Sequence, residues 1–125
     1  MDAGERNLGR LIQTLDPRLS PDRYSFVVAD RTSFDPQLFA LIREEEGVTA
    51  ISRDDSGVWA RITLGVHSDL EAVGLTAALS ACLARAGISA NVVAGVRHDH
   101  IFVPWERRDD AMTALKGLSR DGWRA

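Results

Sequence analysis

The amino-acid sequence predicts an α+β fold, with helices packed on an antiparallel or mixed sheet, and three observations carry that prediction. Residues Val58 to Val66 alternate strictly, with Val58, Ala60, Ile62, Leu64 and Val66 on one side and Trp59, Arg61, Thr63 and Gly65 on the other. An Ala- and Leu-rich segment follows, in which Leu75, Leu79, Cys82, Leu83 and Ala86 recur at helical spacing. Beyond Gly87 come two more β-rich runs, Ser89 to Val96 and His100 to Val103.

Each element follows from local chemistry. Leu8, Leu11, Ile12 and Leu15 form one face of a short helix that Pro17 closes. Ser20-Pro21-Asp22 reads as a turn into the strand Tyr24 to Ala29. Asp35-Pro36 reads as a helix start, because Asp caps and Pro is tolerated in the first turn; Leu38, Leu41 and Ile42 would be its buried side and Gly47 its stop. Val48 to Ser52 is a short strand before the turn Asp54-Asp55-Ser56-Gly57. Ser68-Asp69-Leu70-Glu71 fits a capping box for the next helix, and Gly87 ends it. Arg97-His98-Asp99 turns between the last two strands, Pro104 ends the second, and Glu106 to Leu118 makes a final helix, with Ala111, Met112, Leu115 and Leu118 inward. The tail SRDGWRA is expected to add an edge strand or fray. The order αβαββαββα argues for a sandwich of ferredoxin-like type built from βαββαβ-type units.

Composition excludes several classes of function. The 125 residues suit one compact domain or two small halves sharing a core. Net charge is −3 and the arginines are scattered among acids, so no nucleic-acid partner is expected. A single cysteine, Cys82, excludes an internal disulfide and a multi-cysteine metal cluster. The polar start MDAGERNLGR has no apolar signal core and no run is long enough to span a bilayer, so a cytoplasmic protein without membrane contact is expected.

One geometric inference locates a candidate site. A strand from Val58 to Val66, a helix from Asp69 and a strand from Ser89 make a crossover whose two strands run parallel, so their carboxyl ends share an edge. That edge gathers His67, Ser68, Leu70 and Gly74 with the turn carrying His98, Asp99 and His100. Spare amides at the helix start would receive a carboxylate, and Asp99, Asp69 or Glu71 an ammonium or guanidinium.

The blocks VHSDLEAVGLTAAL (66–79), GISANVVAG and HDHIFVP, with IREEEG (42–47) before them, resemble the ACT-like proteins related to the CASTOR arginine sensors. The resemblance covers nearly the whole chain. It implies two tandem ACT-like units, 1–57 and 58–125, packed as one body, which bind a small metabolite such as an amino acid at a unit or subunit interface and pair as a homodimer. It implies no catalysis and no cofactor. Gly74 matches the glycine that lets ligand approach the backbone, Asp99 the acid beside the ligand, and Asn91 a polar strand position facing the same region. The chain departs from its relatives at Val96 and Arg97, where aromatic residues are usual, and at Ala72, where the sensors carry an acid.

Blander readings stand beside these. Capping alone explains Ser68 and Glu71. Close approach of another segment explains Gly74 as well as a ligand does, and Asn91 could satisfy a neighbouring edge. The three histidines invite a metal reading, although residues at a turn diverge. Ser68 beside His67 does not make a nucleophile, since strand neighbours point apart, and GISANVVAG lacks the lysine of a phosphate loop. The sequence thus points to a regulatory ligand-binding module, with a ligand-free dimerisation or protein-interaction module and a histidine-based metal protein as alternatives.

Overall fold

The computed structural model describes residues 4–29 and 35–123. Helix α1 (Leu8–Gln13) starts at Asn7, whose side chain accepts a bond from the Arg10 amide, and buries Leu11 and Ile12. Asp16 takes a left-handed φ of 52°, a conformation Asp tolerates better than most residues, and turns the chain into strand β1 (Pro17–Ala29).

The expected turn at Ser20-Pro21-Asp22 is instead a bulge inside β1. Leu19 pairs with Ile62 and Arg23 with Ala60, so β1 spends four residues where its partner spends two. Pro21 has no amide to give to a ladder, and a bulge is where a strand can hold it. The expected helix after Asp35 is also overturned: the chain forms strands β2 (Leu38–Glu44) and β3 (Gly47–Arg53), an antiparallel hairpin in which Glu44 pairs with Gly47. Gly47, read as a helix stop, opens β3 with φ of 149°. A short helix-like pattern is marginal by itself, whereas β3 also pairs with β1 from Tyr24↔Arg53 to Ala29↔Val48, so ladder bonds and packing decide.

Strand β4 (Trp59–Leu64) has the alternating burial its sequence implies. Helix α2 (Leu75–Arg85) leads to β5 (Asn91–Ala94), β6 (Asp99–Pro104), a single 3₁₀ turn at Trp105–Arg107 and helix α3 (Arg108–Asp121). The tail adds no strand among the described residues: α3 runs on to Asp121, and Trp123 packs against the core with Arg85 5.1 Å from its ring. Arg124 and Ala125 lie outside the described residues.

The six strands form one sheet, in the order β2-β3-β1-β4-β6-β5, with every neighbouring pair antiparallel. Both β4 and β5 oppose β6, so they run parallel to each other and their carboxyl ends share an edge, as the crossover requires. Strands β1, β4, β6 and β5 with α2 and α3 make a ferredoxin-like α+β unit, in which β1 arrives from the N-terminal side to flank β4. Among the described residues, one short helix and three strands stand ahead of β4, not a second complete βαββαβ series.

Helices α1, α2 and α3 cover one face of the sheet. There Ala60, Ile62 and Leu64 of β4 and Ile101 and Val103 of β6 pack with Leu11, Leu75, Leu79, Leu83 and Leu115. On the other face Tyr24, Ile51 and Phe102 form a second cluster with Phe26, Phe39 and Trp59 around them. Phe39, from the segment read as helical, sets its ring 5.4 Å from Phe102 and 6.1 Å from Tyr24, closing that cluster from the β2 edge. Truncating fully buried Leu79 to Ala should cost about 2–5 kcal/mol in urea unfolding. Val28→Ala, at a side chain 84% exposed, should stay within about 0.5 kcal/mol.

Candidate functional site

The loop from 65 to 74, between β4 and α2, carries the first half of the predicted site, and the β5–β6 turn carries the second. The loop is tied down along its length. Gly65 and Val66 donate their amides to Asp16 and Leu15. A strap formed by Gly4 to Asn7 lies along it: the Glu5 amide donates to the His67 carbonyl at 2.9 Å, and the Asp69 amide donates to the Glu5 carbonyl at 3.0 Å. A Cβ on Gly4 would stand 2.5 Å from the Asp69 nitrogen, so only glycine permits this approach.

Ser68 and Asp99, distant in sequence, meet at the centre. Ser68 Oγ donates to Asp99 Oδ2 at 3.2 Å, and both residues are buried. Burial pushes the Asp99 carboxyl above its ordinary value, while the Ser68 bond and nearby His98 pull against that shift. His98 Nδ1 stands 3.3 Å from the Val66 carbonyl, tying the turn to the loop. Gly95 and His98 close this turn through a backbone bond, leaving Val96 and Arg97 at its tip.

The expected capping box does not form. The N-cap of helix α2 lies six residues later than proposed, at Gly74 with φ 100° and no side-chain cap, and the helix begins at Leu75. Ser68 is engaged by Asp99, and the Glu71 amide donates to Asp69 Oδ1 at 2.8 Å in a local turn. That amide, then Arg6, hold the Asp69 carboxyl below its ordinary value. The close-approach reading of Gly74 has a concrete partner, since an added Cβ would lie 3.0 Å from Leu8 Cδ2 of α1. Arg6 pairs with Asp69 at 3.2 Å and with Glu71 at 2.7 Å, so these two acids already hold a guanidinium from the same chain.

Of the predicted residues, the fold gathers His67, Ser68, Leu70, Gly74, His98 and Asp99 on the loop and turn, and it separates Asn91 and His100 from them. Strand alternation is the reason. Asp99 points to the helix-covered side with Ile101, whereas His100 points to the other with Phe102. Asn91, paired opposite Phe102, is exposed on that second side.

His100 belongs to a second polar group, assembled by the sheet order from residues distant in sequence. Its Nδ1 lies 2.9 Å from Thr63 Oγ1 and 3.4 Å from Arg61 Nη1, and its ring meets Phe39 edge to face. Arg61 can only donate, so Nδ1 is an acceptor. Arg61 also donates to the Tyr24 hydroxyl, and its guanidinium stands 5.3 Å and 4.9 Å from the Tyr24 and Phe39 ring centres. Burial first, and Arg61 second, lower the His100 pKa to about 4. The alternation of Trp59, Arg61 and Thr63 in β4 was the available signal; the helix-like spacing of Leu38, Leu41 and Ile42 hides their neighbour Phe39.

Cys82 is a half-buried thiol on α2, raised in pKa by burial, which donates to the Ala114 carbonyl; it is packing, not a nucleophile. Among the described residues no group of three or more His, Cys, Asp or Glu is placed to hold a metal ion, and no helix is long and apolar enough to cross a membrane.

An ACT-domain family model matches residues 56–117, and a second ACT-domain model matches residues 3–64. The chain is similar to a Vibrio cholerae protein of known crystal structure, described as of unknown function and a possible transport protein. The two share 40% identity and superpose with a TM-score of 0.76 over 90% of this chain and 95% of that one. An Agrobacterium tumefaciens protein, 12% identical, superposes with a TM-score of 0.64 over 84% of this chain and 89% of that one, a likeness of fold alone. No curated protein matches the chain.

Two titrations of opposite sign follow. Unfolded, His100 takes a proton below 6.5; folded, only below about 4. Protons in that window therefore favour unfolding, and stability falls as pH drops from 6.5 toward 4. His100→Gln should flatten that fall in denaturant titrations. Asp99 has the reverse slope, because its raised folded pKa makes stability decline as pH rises through it; Asp99→Asn should remove this decline. An unchanged pH profile in either variant would refute its assignment.

Proposed function

This chain belongs to the ACT-domain family, whose members are commonly regulatory modules that bind small molecules, and on that premise we propose that it is a non-enzymatic sensor of a free amino acid. The observation that carries the proposal is the buried Ser68–Asp99 pair, whose serine lies on the loop that leads into the uncapped start of α2. A zwitterion needs a carboxylate partner for its ammonium and donors for its carboxylate within a few ångströms of each other. The proposal assigns the first role to Asp99 and the second to the amides leading from Gly74 into α2, aided by the helix dipole. Asp69 and Glu71 are not the ammonium partners, because Arg6 occupies both.

Burial that raises the Asp99 pKa also makes the site responsive. An arriving ammonium stabilises the carboxylate and offsets its desolvation, so affinity rises with pH through the Asp99 titration. His67, Leu70 and His98 line the approach, whereas Asn91 and His100 serve the opposite face. The resemblance to the CASTOR-related proteins supports an amino acid as the ligand class. Exposed aliphatic side chains at the same edge, Leu70 at 64%, Val73 at 83% and Val96 at 50%, support closure by a second copy in a homodimer. Ligand occupancy would then act by binding two arrangements of that interface with different affinity. The two family matches, 3–64 and 56–117, support reading 1–57 and 58–125 as divergent halves of one body, with β1 of the first completing the sheet of the second. A single cysteine inside the helical packing supports a cytoplasmic setting.

The test is a thermal-shift screen of the full chain against the twenty amino acids. One or a few should raise the melting temperature, with about 2.7 kcal/mol of stabilisation at a hundredfold excess over Kd. Asp99→Asn should abolish the shift and Glu71→Gln should leave it. Silence across the whole panel would favour a ligand-free interaction module instead.

A further inference from the structure

The opposite end of the sheet carries a polar cleft, of about 630 Å³, where the β1 bulge, the end of β3 and the turn before β4 meet Trp105. It stands at the Trp59 end of β4, whereas the Ser68–Asp99 pair lies beyond the Leu64 end. We propose that this cleft is a separate binding site for a small zwitterion carrying one ammonium and one carboxylate.

The argument rests on which groups in the cleft are already committed. Asp54 accepts from Ser25 Oγ and from both the amide and the hydroxyl of Ser56, and these bonds hold its carboxyl below the ordinary range; it builds the turn. Arg23 donates to the Gly57 carbonyl at 3.2 Å and stacks 4.3 Å over Trp105, whose ring is also 3.9 Å from Arg108. These contacts make a firm wall of indole and guanidinium.

Three groups keep capacity to spare. Arg53 and Asp22 face each other at 3.8 Å, too far for a hydrogen bond, with 43% and 44% of their side chains exposed. Such a pair is worth little in water and is easily opened. Asp55 has no partner among the described residues. An incoming carboxylate can take the Arg53 fork, which is anchored from behind by its bond to the Pro36 carbonyl, while Asp22 and Asp55 take the ammonium. The cleft lining holds Asp22, Asp54 and Asp55 against Arg23 and Arg53, with Arg108 behind the indole, a balance of both signs that suits a ligand carrying one charge of each. The bulge makes the arrangement possible by carrying Pro21 and Asp22 out of the regular ladder, just before Arg23 rejoins it opposite Ala60.

The test is an amide and indole NMR titration of the full chain with each of the twenty free amino acids. At least one should shift the Trp105 indole and Arg53 amide signals saturably. Arg53→Gln and Asp22→Asn, both at exposed side chains, should each weaken that binding by about tenfold or more. Asp99→Asn should leave it intact. The proposal is overturned if no amino acid moves these signals, if the shifts survive both cleft substitutions, or if every saturable shift is confined to residues 65–74. That last pattern would sustain the Ser68–Asp99 site and dismiss this one, and shifts at the cleft alone would do the reverse.

Discussion

Strand β1 is the constraint on which the architecture depends. It pairs with β3 along one side and β4 along the other, so it joins the β2–β3 hairpin to the ferredoxin-like half and leaves no break in the sheet. Its two ladders make different demands. The first part, through Leu19, faces the helix-side core, and the later part places Tyr24 and Phe26 in the second cluster. The bulge reconciles them, taking up the extra residues around Pro21 where an amide is missing in any case. It also re-aims Arg23 toward Trp105 and turns a stretch of sheet edge into the wall of a cleft.

Strand alternation then sorts the titratable groups. Asp99 and His100 are adjacent in sequence, are both largely removed from water, and are both driven toward their neutral forms by burial. One face gives Asp99 a serine hydroxyl next to the loop before α2. The other gives His100 a threonine hydroxyl, a guanidinium and an aromatic ring. Two polar groups that the sequence presents as one cluster thus serve different sides of the sheet, separated by the sheet itself.

The loop before α2 shows how local signals and distant partners compete. Ser68-x-x-Glu71 has the spacing of a capping box, and the chain uses neither residue that way. The N-terminal strap supplies a carbonyl for the Asp69 amide and a guanidinium for both acids, while Asp99 takes the serine. With these demands met from outside, the helix is free to start later, at a glycine whose left-handed φ and contact with Leu8 exclude a side chain. The amides at that start keep no side-chain cap, which is the property a carboxylate-binding site needs.

The strands β4 and β6, helices α1, α2 and α3, the parallel crossover and the meeting of the Ser68 loop with Asp99 were all legible in the sequence. Each follows from periodicity or from the handedness of a single connection, which are properties of short segments. The β2–β3 hairpin, the continuity of β1 through Pro21, the fate of the capping box and the separation of His100 from Asp99 were not. Leu38, Leu41 and Ile42 satisfy a helical pattern as well as an edge strand does, and only Phe39's place over Tyr24 and Phe102, with the ladder to β3, selects the strand. By itself the sequence determined which segments carry an apolar face. Tertiary structure decided which polar group meets which, because hydrogen bonds and ion pairs form between residues that the sheet order brings together from far apart in the chain.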